Sequence, residues 1–318
     1  MIRKSLKIFI TRAFRFLNIF NIVKLRREVD VLYSMLYNLT HDLDSSLDLT
    51  SIQTKEAFGF QWRNLKEGDY LLSDPWFKAN VSKILFEEEI QIKPEWFKGK
   101  DVLDIGCGNG RWSYGFAKLG ANITAVDINQ IAIDETEKAI SDFKVGKNFY
   151  LSPVESLSKN LPAKKYDLVF CWGVIHHCKS FNKSLKELLK FVKKDGILYL
   201  YLYGRDSLDY NTDVDLFKSR IMYNVLPTKE DKYKFLLKKA RGNKDKVHNF
   251  HDIYSPLINR RLEYKYVKDF LKSEGFEDIV RTIDHTELFI RAIKGNAKDY
   301  YKKYILPKKK APYWFEHH

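Results

Sequence analysis

The chain has 318 residues, a net charge of +14 and three cysteines. This length can bury a large core and suits one catalytic domain with extensions. The cysteines form neither a CxxC pair nor a zinc-like spacing with histidine, which disfavours structural zinc and favours a reducing, cytoplasmic compartment.

The positive charge is concentrated at the two ends of the chain. Residues 1–27 carry eight Lys or Arg and no acid, and residues 294–318 form a basic tail. The body between them is nearly neutral, whereas an enzyme acting on nucleic acid more often lines its groove with cations. We therefore expect no nucleic-acid partner. The terminal charge suits an anionic membrane surface or glycan, or simply aids solubility.

Residues 1–50 are predicted to form a helical extension. No apolar run in residues 2–25 is long enough to span a bilayer. Two interpretations stand: an interfacial helix lying on the inner membrane surface, or an amphipathic helix packed on the body or on a partner. Over residues 22–43, apolar positions alternate spacings of three and four, which is the a/d seam of three heptads. We favour homo-oligomerisation through this coiled-coil seam over docking on the chain's own domain.

Residues 51–98 are predicted to form an N-terminal cap of the catalytic domain. The polar composition of residues 40–56 indicates a linker, and the aromatic segment 58–74 indicates irregular structure. A helix is predicted over residues 75–88, with Asp74 as its N-cap and proline at its first position.

Strands and helices alternate from Asp101 onward. The predicted strands are DVLDI, NITAVDI, NFYLS, YDLVFCW and ILYLYLYG, with two more between residues 277 and 293. This alternation predicts an α/β fold, with a mostly parallel seven-stranded sheet covered by helices. A helical insertion, residues 205–260, follows the fifth strand. Because it leaves the sheet at the edge where such folds bind ligands, we expect it to form a lid.

A glycine-rich loop follows the first strand in DVLDIGCGNG. Glycine lets the backbone pass close to a ligand. A dinucleotide fingerprint would require glycine at position 111, where this chain has Arg, so a pyrophosphate site is disfavoured. Asp127 ends the next strand, 21 residues after Gly106, and at that spacing a carboxylate can bind both ribose hydroxyls. Alone, such an acid is more often a turn residue.

These motifs resemble those of the class I S-adenosylmethionine (SAM)-dependent methyltransferases, over residues 99–203 and more weakly over 262–293. The resemblance implies a Rossmann-like fold, with residues 99–293 forming the catalytic domain and SAM as its cofactor. It places Asp104 near the methionine end of SAM and SPVESL (152–157) beside adenine, although many members have an acid where Pro153 stands. The implied cofactor contacts are Asp104, Gly106, Cys107, Gly108, Asp127, Ile128, Val154 and Glu155.

Two further segments resemble bacterial methyltransferases from glycan and natural-product clusters. They are FGFQWRN (58–64) and the segment from His251 to Ile279, which contains YSP and GF. The resemblance implies a polar acceptor such as a sugar. Aromatic faces attract a sulfonium, so Phe60, Trp62 and Trp172 are candidate walls of the cofactor site, with core packing as the alternative.

The candidate base is one residue of the pair His176 and His177, which follows the fourth strand. An oxygen acceptor gains from a base that removes its proton, and histidine titrates near neutrality. The alternative is a structural role in capping or packing. Some sugar methyltransferases with a similar histidine pair carry a carboxylate near the end of the fifth strand, where this chain has Leu202 and Tyr203.

The partner of the base is therefore sought in the insertion. His251, Asp252 and Tyr254 lie close together there, and the resemblance implies that this element borders the cleft. The alternatives are a surface loop for His251 and core packing for Tyr254.

The sequence thus predicts a cytoplasmic SAM-dependent O-methyltransferase acting on a small molecule, most simply a sugar or glycan precursor. A nucleic-acid (RNA) methyltransferase is a first alternative. The nearly neutral body argues against it, as does the lack of an (N/D/S)PP(Y/F/W) motif after the fourth strand. A SAM-binding interaction protein without turnover is a second, and the complete set of motifs argues against it. No metal-binding signature is present in the sequence.

Overall fold

The computed structural model describes residues 49–206 and 209–308. The predicted N-terminal helix, the heptad seam at 22–43 and the last ten residues of the basic tail lie outside this part of the chain. The chain divides into two units, Met1–Ile52 and Gln53–His318. The contacts below belong to the second unit.

Seven strands form one sheet in the order β3-β2-β1-β4-β5-β7-β6. Strands β1 to β5 pair in parallel, and β7 runs antiparallel to both β5 and β6. The strands are β1 (Asp101–Ile105), β2 (Asn122–Asp127), β3 (Lys147–Leu151), β4 (Tyr166–Trp172), β5 (Val192–Leu202), β6 (Phe276–Ile283) and β7 (Leu288–Lys294). This confirms the predicted α/β fold with a mostly parallel, seven-stranded sheet. The order reverses between β1 and β4, the point where open α/β sheets bind ligands.

Helices cover both faces of the sheet, because successive strand residues point to opposite sides. One hydrophobic cluster contains Val102, Phe170 and Tyr199, and the other contains Leu103, Val169 and Leu198. The helices outside the insertion are α1 (Leu49–Asn64), α2 (Pro75–Ile84), α3 (Arg111–Lys118), α4 (Gln130–Ala139), α5 (Leu157–Asn160), α6 (Phe181–Leu189), α10 (Tyr264–Ser273) and α11 (Lys298–Lys302).

Helix α2 begins as predicted. The side chain of Asp74 accepts a hydrogen bond from the backbone N–H of Trp76 at 2.9 Å, and Pro75 occupies the first helical position. The α-helix ends at Ile84, and a π-helical turn, Leu85–Glu89, replaces the predicted last turn. π-helical turns are frequent at functional sites.

The predictions for residues 40–56 and 58–74 are wrong where helix α1 lies. The helix spans Leu49–Asn64, through the predicted linker and the predicted irregular segment. Its buried positions include Ala57, Gly59 and Gln61, which are small or polar. Because no large apolar residues recur at helical spacing, the sequence carries no amphipathic signal for this helix.

The insertion is helical, as predicted. Its helices are α7 (Tyr210–Val225), α8 (Lys229–Lys239) and α9 (Val247–Tyr254). They share a small hydrophobic cluster of their own. Across the described residues, no helix combines the length and the apolar composition needed to cross a membrane.

Candidate active site

The glycine loop after β1 is tightly enclosed. Gly106 has φ +74°, and a Cβ there would lie 2.2 Å from Val174 Cγ2. Gly108 has φ +55°, and a Cβ there would lie 2.6 Å from Trp62 Cζ2 in helix α1. Both positions therefore require glycine, for conformation and for space. The backbone of the loop therefore packs directly against the side chains of Val174 and Trp62.

Asp127 lies at the end of β2 and faces this loop. Its carboxylate accepts hydrogen bonds from the backbone N–H of Gly108 at 3.1 Å and of Asn129 at 2.9 Å. Burial raises the pKa of Asp127 to about 6, and the backbone hydrogen bonds oppose this shift. The carboxylate is thus oriented in advance at the position where a ribose would bind.

Asp104, the fourth residue of β1, is the second buried acid at the loop. It accepts a hydrogen bond from Ser113 Oγ at 2.6 Å. Burial raises the pKa of Asp104 to about 7, and the Ser113 hydroxyl lowers it. A cation beside this carboxyl, such as the α-ammonium group of SAM, would favour its ionised form.

The segment assigned to adenine follows β3. Val154 is buried in a 3₁₀ turn (Val154–Ser156), and Ile128 is partly exposed at the end of β2. One buried carboxylate oxygen of Glu155, Oε1, has no hydrogen-bond partner and could accept one from an adenine amine. Cys107 is buried, and burial raises the pKa of its thiol well above the ordinary value, so it is an inert wall residue.

Aromatic residues of helix α1 reach the same region. Trp62 packs over Gly108, Phe58 meets the His177 ring edge-on at 5.2 Å, and Phe60 stacks on His251 at 5.5 Å. Trp172, at the end of β4, stacks on Tyr201 at 4.0 Å. Trp62 and Trp172 thus flank the site, whereas Phe60 packs on the insertion.

His176 and His177 lie in a 3₁₀ turn just past β4, with ring centroids 4.1 Å apart. His176 is fully buried, and neither of its ring nitrogens has a hydrogen-bond partner. The Nδ1–H of His177 donates to the carbonyl oxygen of Ile258 at 2.7 Å, which fixes that ring. His176 therefore has two buried ring nitrogens that no described group completes.

Burial changes the titration of both rings. It lowers the pKa of His176 well below 6.5 and that of His177 to about 3. The expectation that the base titrates near neutrality is therefore wrong for this environment. Both imidazoles are neutral at pH 7, which is the form that accepts a proton.

The insertion brings a carboxylate beside the end of the fifth strand. Tyr203, which directly follows β5, donates a hydrogen bond from Oη to Asp252 Oδ2 at 3.0 Å. The Tyr203 ring lies 4.1 Å from that of His176. Burial raises the pKa of Asp252 to about 6. The sequence placed Asp252 near the cleft but could not show that Tyr203 joins it to the histidine.

The other two candidates on the insertion differ in position. His251 lies in helix α9 between Phe60 and Tyr223, and burial lowers its pKa to about 3, so the surface-loop alternative is wrong. Tyr254 stacks on Phe250 at 5.7 Å inside the cluster of the insertion. Its position favours core packing, and its catalytic role stays an untested prediction.

Sequence reasoning missed three residues beside the site. Arg111 begins helix α3, and its guanidinium lies 4.5 Å from the Trp172 ring centroid. Tyr201 forms the other face of the Trp172 stack, and Glu89 is fully buried at the end of the π-turn. Two features of the sequence could have indicated these residues. One is the set of three acids between the apolar residues of ILFEEEIQI, and the other is the arginine where a dinucleotide site needs glycine. Among the described residues, no group of three or more His, Cys, Asp or Glu could hold a metal ion.

Comparisons with known proteins agree with this geometry. Residues 103–200 match the family model described as "Methyltransferase domain". The ubiquinone biosynthesis O-methyltransferase of Rickettsia canadensis is 25% identical over 227 residues, which cover 71% of this chain and 88% of that protein. The Coxiella burnetii protein of the same name is 28% identical over 130 residues, 41% of this chain. The matched region spans 54%, about half, of the length of that relative.

Among solved structures, one similar chain is the magnesium protoporphyrin IX methyltransferase of Synechocystis PCC 6803. The two share 14% identity and a TM-score of 0.48, over 77% of this chain and 99% of that one. The sheet order, the glycine loop with Asp127 and the family match define the class of protein. Residues 103–200 form a methyltransferase domain, and the sheet has the Rossmann-like order of the class I SAM-dependent methyltransferases.

Proposed function

We propose that the protein transfers the methyl group of SAM to a hydroxyl group of a polar small molecule, such as a sugar or glycan precursor. The observation that carries this proposal is His176: it is buried and neutral, and both its nitrogens lack a partner at the carboxyl end of β4. A buried polar group in this state indicates a ligand that completes it. The relatives named above, which are O-methyltransferases by name, support oxygen as the acceptor atom.

The residues of the chain divide the work. SAM, when bound, supplies the methyl group and the leaving sulfur. Asp127 holds the ribose, and Asp104 pairs with the ammonium group of the methionine end. His176 accepts the proton of the acceptor hydroxyl as the new C–O bond forms. The remaining task of the protein is to orient the acceptor in line with the methyl group.

Tyr203 and Asp252 keep the base oriented. The Tyr203 ring packs on the imidazole of His176, and its hydroxyl is held by Asp252. Asp252 belongs to helix α9 of the insertion, so the insertion contributes directly to the active site. His177 is the second candidate: its Nδ1–H is bonded to the backbone, which leaves its unpartnered Nε2 as the proton acceptor.

A phenolic acceptor is the second candidate function. Trp172 and Tyr201, both partly exposed, present aromatic surface at the site. Aromatic walls suit a planar ring as well as a sugar face. The names of the relatives, which refer to ubiquinone biosynthesis, point the same way.

The test is His176→Ala, assayed by transfer of labelled methyl from SAM to a panel of sugars and phenols. We expect kcat to fall by about 10²–10⁴-fold with nearly unchanged SAM affinity, since proton removal occurs at the acceptor. His285→Ala is the matched control, because His285 lies in the turn between β6 and β7. A folded His176→Ala variant that loses only a few-fold in kcat would exclude His176 as the base. Loss of SAM binding would instead assign it to the cofactor pocket.

A further inference from the structure

The acid at the end of the π-turn has one oxygen without a partner. Glu89 is 0% exposed, and its Oε2 accepts a hydrogen bond from the hydroxyl of Tyr199 on β5. Its other oxygen, Oε1, is equally buried and has no hydrogen-bond partner. An unpaired buried carboxylate oxygen costs free energy unless something completes it.

A donor without a partner lies beside this oxygen. The indole nitrogen of Trp172 is buried and also lacks a hydrogen-bond partner. In the sheet, Trp172 pairs with Tyr201 and Phe170 pairs with Tyr199, so the indole lies one step along the same face from the tyrosine that holds Glu89. Burial raises the pKa of Glu89 to about 8, and the hydroxyl of Tyr199 and the indole N–H of Trp172 lower it. The indole therefore lies close to the carboxyl, with its N–H outside direct hydrogen-bond geometry.

Partly exposed side chains lie around the two groups. Arg111, Trp172 and Tyr201 are each partly exposed, whereas Glu89 behind them is not. The guanidinium of Arg111 stacks on Trp172 and donates to the carbonyl oxygen of Tyr70 at 3.1 Å, which fixes this side chain. Glu89 is therefore a fully buried acid beside side chains that reach the surface.

A hydroxyl group can complete both partners at once, because it accepts one hydrogen bond and donates another. We propose that Glu89 Oε1 and Trp172 Nε1 form a subsite for a second hydroxyl group of the acceptor, so that the acceptor is a polyhydroxylated ring. This inference rests on the proposed function: one hydroxyl is methylated at His176, and another is held at the subsite.

The spacing along β5 suits such a ring. The rings of His176 and Trp172 pack on Tyr203 and Tyr201 respectively, which are two strand positions apart. The ring centroids of Tyr201 and Tyr203 lie 6.1 Å apart, the scale of a six-membered ring with its substituents. Sugars and catechols are both six-membered rings that carry more than one hydroxyl group.

The test uses calorimetry to measure how tightly small hydroxylated compounds bind to the complex of the protein with S-adenosylhomocysteine. It has two arms. One arm compares 3,4-dihydroxybenzoate with the 3-hydroxy and 4-hydroxy acids. The other compares methyl α-D-glucopyranoside with its monodeoxy analogues. We expect the fully hydroxylated compound of one arm to bind at least about tenfold more tightly than its analogues, which also identifies the source of the hydroxyls.

Glu89→Met and Trp172→Phe should each abolish that preference, and Glu89→Met should do so with unchanged cofactor affinity. Where the probe is methylated, they should raise KM about tenfold and leave kcat within about twofold. Trp96→Phe is the matched control and should keep the preference, because Trp96 packs against Phe97 and Tyr301 in the core.

The outcomes separate the two proposals. Equal binding of all compounds in both arms, or a preference that survives in both variants, would overturn the subsite and leave a fixed water as the partner of Glu89. A preference that both variants lose, without methyl transfer to any compound, would support the subsite and contradict the proposed O-methylation.

Discussion

Asp127 is held by the backbone before any cofactor binds, through the N–H groups of Gly108 and Asn129. Asp127→Ala should weaken SAM binding by about 1.5–3 kcal/mol, the range for a lost hydrogen bond to a charged group. Calorimetry of SAM binding measures this, and a urea titration checks that the loop still folds. Asp142→Ala, at an exposed acid beyond α4, is the control. Unchanged affinity would remove Asp127 from the ribose role.

We expect Asp104 to make SAM binding depend on pH. Its pKa is raised to about 7 in the free protein, and the ionised form is the one that attracts the ammonium group of SAM. The ionised form predominates above the pKa, so affinity should be full above pH 7. It should then fall by up to about tenfold per pH unit as the pH drops below 7.

Calorimetry across pH 5–9 measures the affinity of the wild type and of Asp104→Asn. The Asp104→Asn variant should bind SAM weakly at every pH, and its affinity should not fall further below pH 7. A step of the same size in Asp104→Asn would assign the titration to another group, with Asp127 next to test because its pKa is raised to about 6. At saturating SAM, kcat should show no step near pH 6.5, because burial keeps His176 neutral there.

At the scale of elements, the packing of the loop after β1 against the loop after β4 holds the site together. Gly106→Ala should destabilise the protein by about 2–4 kcal/mol, because it combines a left-handed φ with overlap of Val174. In the double variant Gly106→Ala/Val174→Ala, the shorter side chain at position 174 should relieve the overlap. The backbone strain of about 1–2 kcal/mol should remain. Urea unfolding of the single and double variants measures both. Equal stability of Gly106→Ala and the wild type would show that the two loops separate freely.

At the scale of the whole molecule, the heptad seam at residues 22–43 predicts self-association, and it lies outside the described residues. Leu32→Asp with Leu36→Asp should convert an oligomer into a monomer, because charge at a/d positions is buried without a partner. Light scattering on the wild type and the variant measures the molar mass and so gives the oligomeric state of each. A monomeric wild type would contradict the coiled-coil interpretation.

The sequence alone determined the catalytic architecture of this protein. Strand and helix periodicity, together with the glycine loop and Asp127, are local patterns, and local patterns are readable without knowing the fold. They predicted the seven-stranded sheet and placed the histidine pair directly after its fourth strand.

The tertiary structure decided everything that depends on long-range contact. Helix α1 buries Gly59 and Gln61, which are small or polar, and packs against the body of the domain. Its sequence therefore shows no hydrophobic periodicity that would predict a helix. The pKa of His176 follows from burial, which no sequence window reports. The partnership of Tyr203 with Asp252 joins residues 49 positions apart. Such contacts arise when the whole chain folds, because desolvation and side-chain pairing are properties of the assembled core.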